Sequence, residues 1–270
     1  MPTFARPLLE CPDAALAQVR GVLTDIDDTL TCSGSIETQA LDALTRLRAA
    51  GLPVMAITGR PMGWSAPFAR DWPVDAIVAE NGAVALFMQG GALHTEYAQD
   101  AATRARHALR LANVAQRVLQ EVPGATLAGD SAGRVTDIAI DHSEFTQLST
   151  QGIAHAVALM RSAGMTATVS SIHINGWFGT HDKLSGAHWI VQRLLGRNLK
   201  TQRERWAYVG DSTNDQLMFE HFPLSVGVAN LMRFADQLTV WPAWLTQAER
   251  GCGFAEFADR LLASRTVQDR

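Results

Sequence analysis

The segment of this chain best suited to chemistry is Asp25-Ile26-Asp27-Asp28-Thr29. Asp25 and Asp27 are two residues apart, so at the end of an extended strand their side chains start on the same face. Carboxylates crowded together repel unless a shared proton or a cation relieves them. Mg²⁺, which takes hard oxygen ligands, would do so. One aspartate is then free to attack phosphorus while the other moves a proton. The same acids would also serve as an N-cap ahead of the next helix, a purely structural use. The rest of the chain weighs between these readings.

The elements around this segment alternate strand with helix. Val22-Leu23 reads as a short strand, and Ile36, Ala40, Leu41, Leu44 and Leu47 form one helical face that Gly51 closes. Val54–Ile57 is a second strand, ending in Thr58-Gly59-Arg60, and Ala76–Ala79 a third, ending in Glu80-Asn81-Gly82. The alternation returns late, with a helix from about Lys183 to Leu195, strand Ala207–Val209, helix Gln216 to His221 and strand Ser225–Val228. Leu238–Val240 reads as a further strand. Short apolar strands separated by helices imply an α/β fold, a Rossmann-like parallel sheet covered on both faces. The middle differs. Val84–Phe87 and Leu93–Thr95 flank Gly90-Gly91 as a hairpin, followed by a helix over about 101–122, a strand over 134–141, a helix over about 147–163 and an extended run over 166–174. An inserted α+β domain is therefore expected at 85–178, between core segments 1–84 and 179–270.

In such a sheet, ligands gather beyond the C-terminal ends of the strands. Four polar groups fall there: Asp25 with Asp27, Thr58 with Gly59, Gly210-Asp211-Ser212-Thr213-Asn214-Asp215, and Lys183 at a helix start where free N–H groups would also meet a phosphate. Singly, each has a plain explanation as a turn, a solvated lysine or an Asx-capped loop. Together and in this order they resemble the haloacid dehalogenase superfamily of aspartate-nucleophile phosphatases. Asp25–Thr29 looks like its nucleophile motif, Thr58 its hydroxyl motif, Lys183 its lysine motif and Gly210–Asp215 its acidic motif. The large insert resembles a C2 cap. Glu80-Asn81-Gly82-Ala83 and Gly253-Phe254-Ala255-Glu256 resemble the C2B branch of Cof-like and sugar-phosphate phosphatases. One departure is Asp28, where many members carry glycine.

The resemblance implies an Mg²⁺-dependent phosphomonoester hydrolase working through an aspartyl-phosphate on Asp25, with Asp27 as acid and then base. It implies Mg²⁺ on Asp25, Asp211 and the main-chain carbonyl of Asp27, with Asp215 a direct or outer ligand. Thr58, Gly59, Lys183 and Asn214 would hold the phosphate oxygens. A sugar phosphate or a similar small phosphorylated metabolite is the implied substrate. A phosphomutase using the same first step is the alternative, and Gly129-Asp130-Ser131-Ala132-Gly133 matches the G-x-S-x-G elbow of serine esterases. The β-branched alternation after that pentapeptide reads as strand, which makes it a turn. The insert should choose the substrate, with Arg134, Asp137, His173 and Asn175 as candidates beside His142 and Trp177, and Arg134 first among them.

Composition permits this reading. The 270 residues carry a formal charge of −4 with no long basic block, which argues against nucleic acid or an anionic membrane as partner. Cys11, Cys32 and Cys252 are far apart, with no metal-binding or disulfide spacing. With no basic-then-apolar leader and no long apolar span, a cytoplasmic monomer or homodimer is expected.

Overall fold

The computed structural model describes residues 5–268. Its main sheet has nine strands. In spatial order they are Arg6–Pro7, Trp244–Leu245, Leu224–Gly227, Trp206–Gly210, Gly21–Thr24, Val54–Ile57, Ala76–Ala79, Val84–Gln89 and Ala92–Tyr97. The first seven run parallel, and the last two add an antiparallel hairpin. Gly21–Thr24, Val54–Ile57, Ala76–Ala79 and Trp206–Gly210 are buried along their whole length, as strands covered on both faces must be.

One face packs Val22, Val54 and Val226 against helices Thr38–Ala49 and Arg250–Gln268, through Leu44, Leu47, Phe254, Phe257 and Leu261. The other packs Leu23, Met55, Ile57 and Tyr208 against helix Lys183–Leu195, through Ala187, Ile190 and Val191. Among the described residues no helix is long and apolar enough to cross a membrane.

A separate antiparallel sheet of four strands, in the order Thr166–Val169, His173–Trp177, Asp137–Asp141 and Thr126–Leu127, lies within the insert. Ile138, Ile140 and Ile174 point to one side and join Leu111, Val118 and Met160 of helices Ala101–Glu121 and Thr150–Ser162 in their own apolar core. The alternate residues Asp137, His173 and Asn175 are thereby left on the opposite side of the sheet.

Two segments differ from the sequence expectation. The hairpin 84–97 joins the main sheet, with Val78 opposite Ala85, so the expected boundary at residue 85 cuts through core structure. A hairpin pattern fixes the pairing of its own strands but not the sheet edge they extend, and here the apolar Val84–Phe87 run is buried on that edge. Leu238–Val240 is not a strand; the N–H groups of Thr239 and Val240 donate to Gln216 Oε1 at 2.7 and 2.9 Å instead of to a ladder. The edge strand comes later, at Trp244–Leu245.

Helix Lys183–Leu195 is seated against the sheet by a close backbone contact. Gly82, at φ 105°, leaves no room for a side chain: a Cβ there would lie 2.0 Å from the carbonyl oxygen of Asp182. Asp182 caps the helix by accepting the N–H of Ser185 at 2.6 Å, so Gly82 touches the residue that sets the position of Lys183. Gly82→Ala should therefore cost about 2 kcal/mol or more, from the unfavourable φ and the clash together. It should also lower turnover by displacing Lys183. Gly51, at φ 71° with open space around it, is the control: its alanine variant should cost only about 1 kcal/mol and leave turnover intact. Urea unfolding and phosphate release measured on both variants check the pair of outcomes.

Candidate active site

Parallel pairing brings the marked strand ends together. Gly21–Thr24 lies beside Trp206–Gly210, with Thr24 opposite Val209, and the N–H of Asp25 donates to the Val209 carbonyl at 2.9 Å. Asp25 and Asp211 consequently leave adjacent strands side by side. Oxygens of Asp25, Asp211 and Asp215 lie within 4.8 Å of one another, and all three residues are buried. Lys183 Nζ enters this cluster, donating to Asp25 Oδ1 at 2.8 Å, Asp215 Oδ1 at 2.7 Å and Asn214 Oδ1 at 3.3 Å.

Asp215 has no spare capacity. Its Oδ2 accepts the N–H groups of Asp211 and Ser212 at 2.9 and 3.1 Å, while Oδ1 accepts Lys183 and the Tyr208 hydroxyl. These four bonds use all the lone-pair directions of a carboxylate. Asp211 is the opposite case: Oδ2 accepts Asn230 Nδ2 at 3.2 Å, but Oδ1 is buried without a partner. Asp25 has Lys183 on Oδ1 and no hydrogen bond to Oδ2 among the described residues.

The charges in this cluster do not balance: three buried carboxylates face a single ammonium. Burial pushes Asp25 up to about 7 against the pull of Lys183, and burial with the neighbouring carboxylates pushes Asp211 well above its ordinary value. Burial opposes the charge of Lys183, but Asp215 and Asp25 outweigh it and hold the amine protonated. An oxygen-only donor set with an orphaned carboxylate oxygen and surplus negative charge fits Mg²⁺, which needs hard ligands and would neutralise the excess.

Asp27 sits outside this knot. Arg60 Nε donates to its two carboxylate oxygens at 2.9 and 3.1 Å, and burial raises its pKa above the ordinary value despite that arginine. The guanidinium of Arg60 also bonds Asp130 at 3.1 Å and Glu144 at 2.8 Å, both in the insert. Glu144 in turn meets His173 Nε2 at 2.8 Å. Thr58 is fully buried, and its Oγ1 accepts the N–H of Arg60 at 3.0 Å, which leaves the hydroxyl proton to donate elsewhere.

Asp28, with φ 53°, has the left-handed backbone that glycine adopts at no cost and aspartate tolerates. Asn230 Nδ2 bonds the carbonyl of Asp28 at 2.9 Å as well as Asp211, tying the nucleophile loop to the acidic loop.

Several sequence-chosen residues are used differently from expectation. Arg134 does not reach toward a substrate. Its side chain is 2 % exposed, and its two terminal nitrogens are held by Asp137 at 2.9 Å, Asp130 at 3.1 Å and the Gly59 carbonyl at 2.9 Å, while Nε is buried without a partner among the described residues. Asn175 also donates to the Gly59 carbonyl, at 3.3 Å, so Gly59 receives the insert, where phosphate binding was expected. Asp137, pushed up to about 7 by burial against the pull of Arg134, lies in the same seam. His142 bonds the Ser170 carbonyl at 3.0 Å and Trp177 the His181 carbonyl at 2.8 Å.

Ser131 opens a single 3₁₀ turn that returns to extended chain at Arg134, and strand Asp137–Asp141 follows. The strand-to-helix turn of an esterase elbow is absent, as the alternation implied.

Arg60, Tyr208, Glu80, Glu144 and Asn230 were given no individual site role by the sequence. Arg60 and Asn230 follow strand ends, so the rule that found Asp211 would have reached them. Glu80 directly follows the strand Ala76–Ala79 and carries the same mark, whereas Glu144 and Tyr208 do not. Glu80 is fully buried and accepts the N–H groups of Met62, Val135 and Thr136, the last at 2.6 Å.

With this geometry in hand, the comparisons are specific. Residues 22–121 match the family model described as haloacid dehalogenase-like hydrolase. Over those residues the chain is similar to that superfamily. No curated protein sequence matches it significantly. Among solved structures, a Thermoplasma acidophilum protein aligns with TM-score 0.69 at 13% identity, over 90% of this chain and 98% of its own. A HAD/Cof-like hydrolase from Plasmodium vivax aligns with TM-score 0.68 at 16% identity, over 93% and 99%. The sucrose-phosphatase of Synechocystis, solved with sucrose and phosphate, aligns with TM-score 0.64 at 17% identity, over 90% and 98%. At such identities the likeness establishes the haloacid dehalogenase-like fold, a parallel core with an inserted cap.

The link between Glu144 and its two partners has a pH signature. Burial would raise this carboxyl, but the hydrogen bonds from His173 and Arg60 outweigh it and hold it down at about 2. A depressed folded pKa contributes stability that is complete above the unfolded value of about 4.3 and is lost as pH falls toward the folded one. Glu144→Gln should therefore lower the melting temperature at pH 7. The gap to wild type should narrow below about pH 4.3, where the unfolded chain takes up the proton. Thermal melts of both proteins between pH 7 and pH 3.5 test this; a gap that is constant or widens on acidification contradicts it.

Proposed function

We propose that this hydrolase is a metal-assisted phosphomonoesterase acting on a small phosphorylated metabolite. The observation that carries the reading is the buried cluster in which Lys183 fixes one oxygen of Asp25, the other stays free, and Asp211 Oδ1 lacks a partner. Asp25 Oδ2 attacks phosphorus, forming an aspartyl-phosphate as the bond to the leaving oxygen breaks. Asp27, its carboxyl raised by burial, gives its proton to the departing alkoxide, and Arg60 stabilises the carboxylate left behind. Asp27 then takes a proton from the water that cleaves the acyl phosphate, returning Asp25.

Lys183 and the Thr58 hydroxyl are placed to bind non-bridging oxygens, with Asn214 held against Lys183. Asp25, Asp211 and the main-chain carbonyl of Asp27 would hold Mg²⁺, whose positive charge supplies electrostatic stabilisation of the transferring phosphoryl group. Asp215, with every lone pair engaged, positions Lys183 and the acidic loop and is an outer partner of the metal.

A sugar phosphate or similar small ester is the substrate class that the fold relatives favour, the sucrose-phosphatase among them. Another solved relative is described as a trehalose-6-phosphate phosphatase related protein, with TM-score 0.58 at 14% identity. Water as the acceptor, rather than a second hydroxyl, agrees with the hydrolase family model.

Two measurements test the reading. Asp25→Asn should fold normally and lose about 10⁴-fold or more in turnover of p-nitrophenyl phosphate; activity within tenfold of wild type removes Asp25 as nucleophile. Chelation should abolish turnover and Mg²⁺ restore it. Saturating Mg²⁺ should also raise the melting temperature of the wild type, by mass action equivalent to about 2.7 kcal/mol at a hundred times the dissociation constant. Asp211→Asn should lose most of that thermal shift, a readout independent of activity.

A further inference from the structure

The cavity that Asp27 opens into has a volume of about 360 Å³. It lies between core loops and the insert loops that carry Ser143–Phe145 and Ser171-Ile172. That is near the low end of ligand pockets, which run roughly 300–1,000 Å³, so the leaving group it accepts is small. Its lining carries charges of both signs. On the Asp27 side, the Arg60 guanidinium is spent on Asp27, Asp130 and Glu144, and the acids outnumber it. Two further guanidiniums, Arg233 and Arg250, line the cavity, with Arg250 paired to the lining carboxylate of Asp28.

Neither of those arginines is used up. Arg250 Nε donates to Asp28 at 3.0 Å and Nη1 to the Cys32 sulfur at 3.2 Å, while Nη2 has no partner among the described residues. Among the described residues Arg233 Nη2 reaches only Glu249, at 3.4 Å on the exposed rim. Arg250 is also held in an unfavourable conformation. Its φ is 52°, a region that suits glycine, and its N–H is fixed there by Asn230 Oδ1 at 2.8 Å. Strain retained on a charged residue at the wall of a cavity marks a side chain that the site uses.

We propose that Arg250 and Arg233 bind a carboxylate on the leaving group, so that the preferred substrate is the phosphate ester of a hydroxy acid or sugar acid and not of a neutral sugar. The proposal rests on the phosphatase reading and narrows its substrate class. Lys183 and Thr58 already serve the phosphoryl group, which leaves these guanidiniums for a second anion. With Nε held by Asp28 and Nη1 by the Cys32 sulfur, Arg250 keeps Nη2 for a substrate oxygen, and a carboxylate there makes a stronger, charge-assisted bond than a neutral hydroxyl. Asp28 fixes the orientation of Arg250, and Glu249 meets Arg233 only at 3.4 Å on the exposed rim, where solvent screens the pair.

The test is a matched pair comparison with Mg²⁺ on the full chain: 6-phosphogluconate against glucose 6-phosphate, and 3-phosphoglycerate against glycerol 3-phosphate. Wild type should favour at least one acid over its neutral partner by about tenfold or more in kcat/KM. Arg250→Met and Arg233→Met should each reduce that ratio severalfold, and Arg250→Lys should recover part of it. The ratio separates the proposal from general damage, because misfolding lowers both members of a pair alike. Arg233 is half exposed, so its variant keeps the experiment informative if Arg250→Met folds poorly. Turnover without acid preference, or a preference that survives both substitutions, overturns the anchor and leaves the phosphatase reading standing. No turnover of these esters or of p-nitrophenyl phosphate overturns both.

Discussion

The interaction on which the rest of the structure depends is the double ion pair of Lys183 with Asp25 and Asp215. It joins three segments far apart in sequence at one buried point, and it leaves Asp211 nearby with an oxygen unsatisfied. Removing one partner from such a buried pair costs about 3–5 kcal/mol, because the remaining charge has no water to turn to. The fold is arranged around this constraint. Adjacent parallel strands deliver Asp25 and Asp211, the Gly82 contact fixes the height of the helix carrying Lys183, and Tyr208 with two backbone N–H groups locks Asp215. A site with surplus negative charge would repel a phosphate ester, and the proposed Mg²⁺ would relieve the same imbalance that strains the cluster.

A second set of polar contacts joins the core to the insert. Glu80 accepts N–H groups from Val135 and Thr136, Arg134 and Asn175 grip the Gly59 carbonyl, and Arg60 spans Asp27, Asp130 and Glu144. Each apolar core, by contrast, stays within its own body, as Ile138 and Ile140 show by packing on the insert's own helices. Polar seams of this kind separate at less cost than a continuous apolar core, which suits a cap that must admit substrate and release product. Arg60 is central because it touches Asp27 and the insert at once, so the position of the insert bears directly on the residue proposed to move the proton.

Much of the site was legible because it follows a local rule. Polar residues that interrupt an apolar run at the C-terminal end of a strand gather at one edge of a parallel sheet, and Asp25, Asp27, Thr58 and Asp211 obey it. Lys183 was marked by its place at a helix start, and the structure begins that helix at Lys183. The insert strand was readable from the alternation of Ile138 and Ile140 with Asp137 and Asp141. The specificity candidates were less legible. Arg134 was chosen for its length and the turn before it, yet its charge is neutralised by Asp137 three residues on and by Asp130 four residues back. A long polar side chain has many possible partners, and sequence spacing does not rank them.

The amino-acid sequence by itself determined the strand and helix alternation, the order of the four polar groups and the presence of an insert, because each depends on periodicity within a few residues. Only the tertiary structure decided that the 84–97 hairpin extends the core sheet, that Arg134 and Gly59 hold the insert down, and that Arg250 pairs with Asp28 in the cavity wall. The physical reason is separation along the chain: Arg134 and Gly59 are 75 residues apart, and Arg250 and Asp28 are 222 apart. Contacts at that distance are set by how whole layers pack, and no short-range pattern encodes which of several competing charges a buried guanidinium will meet.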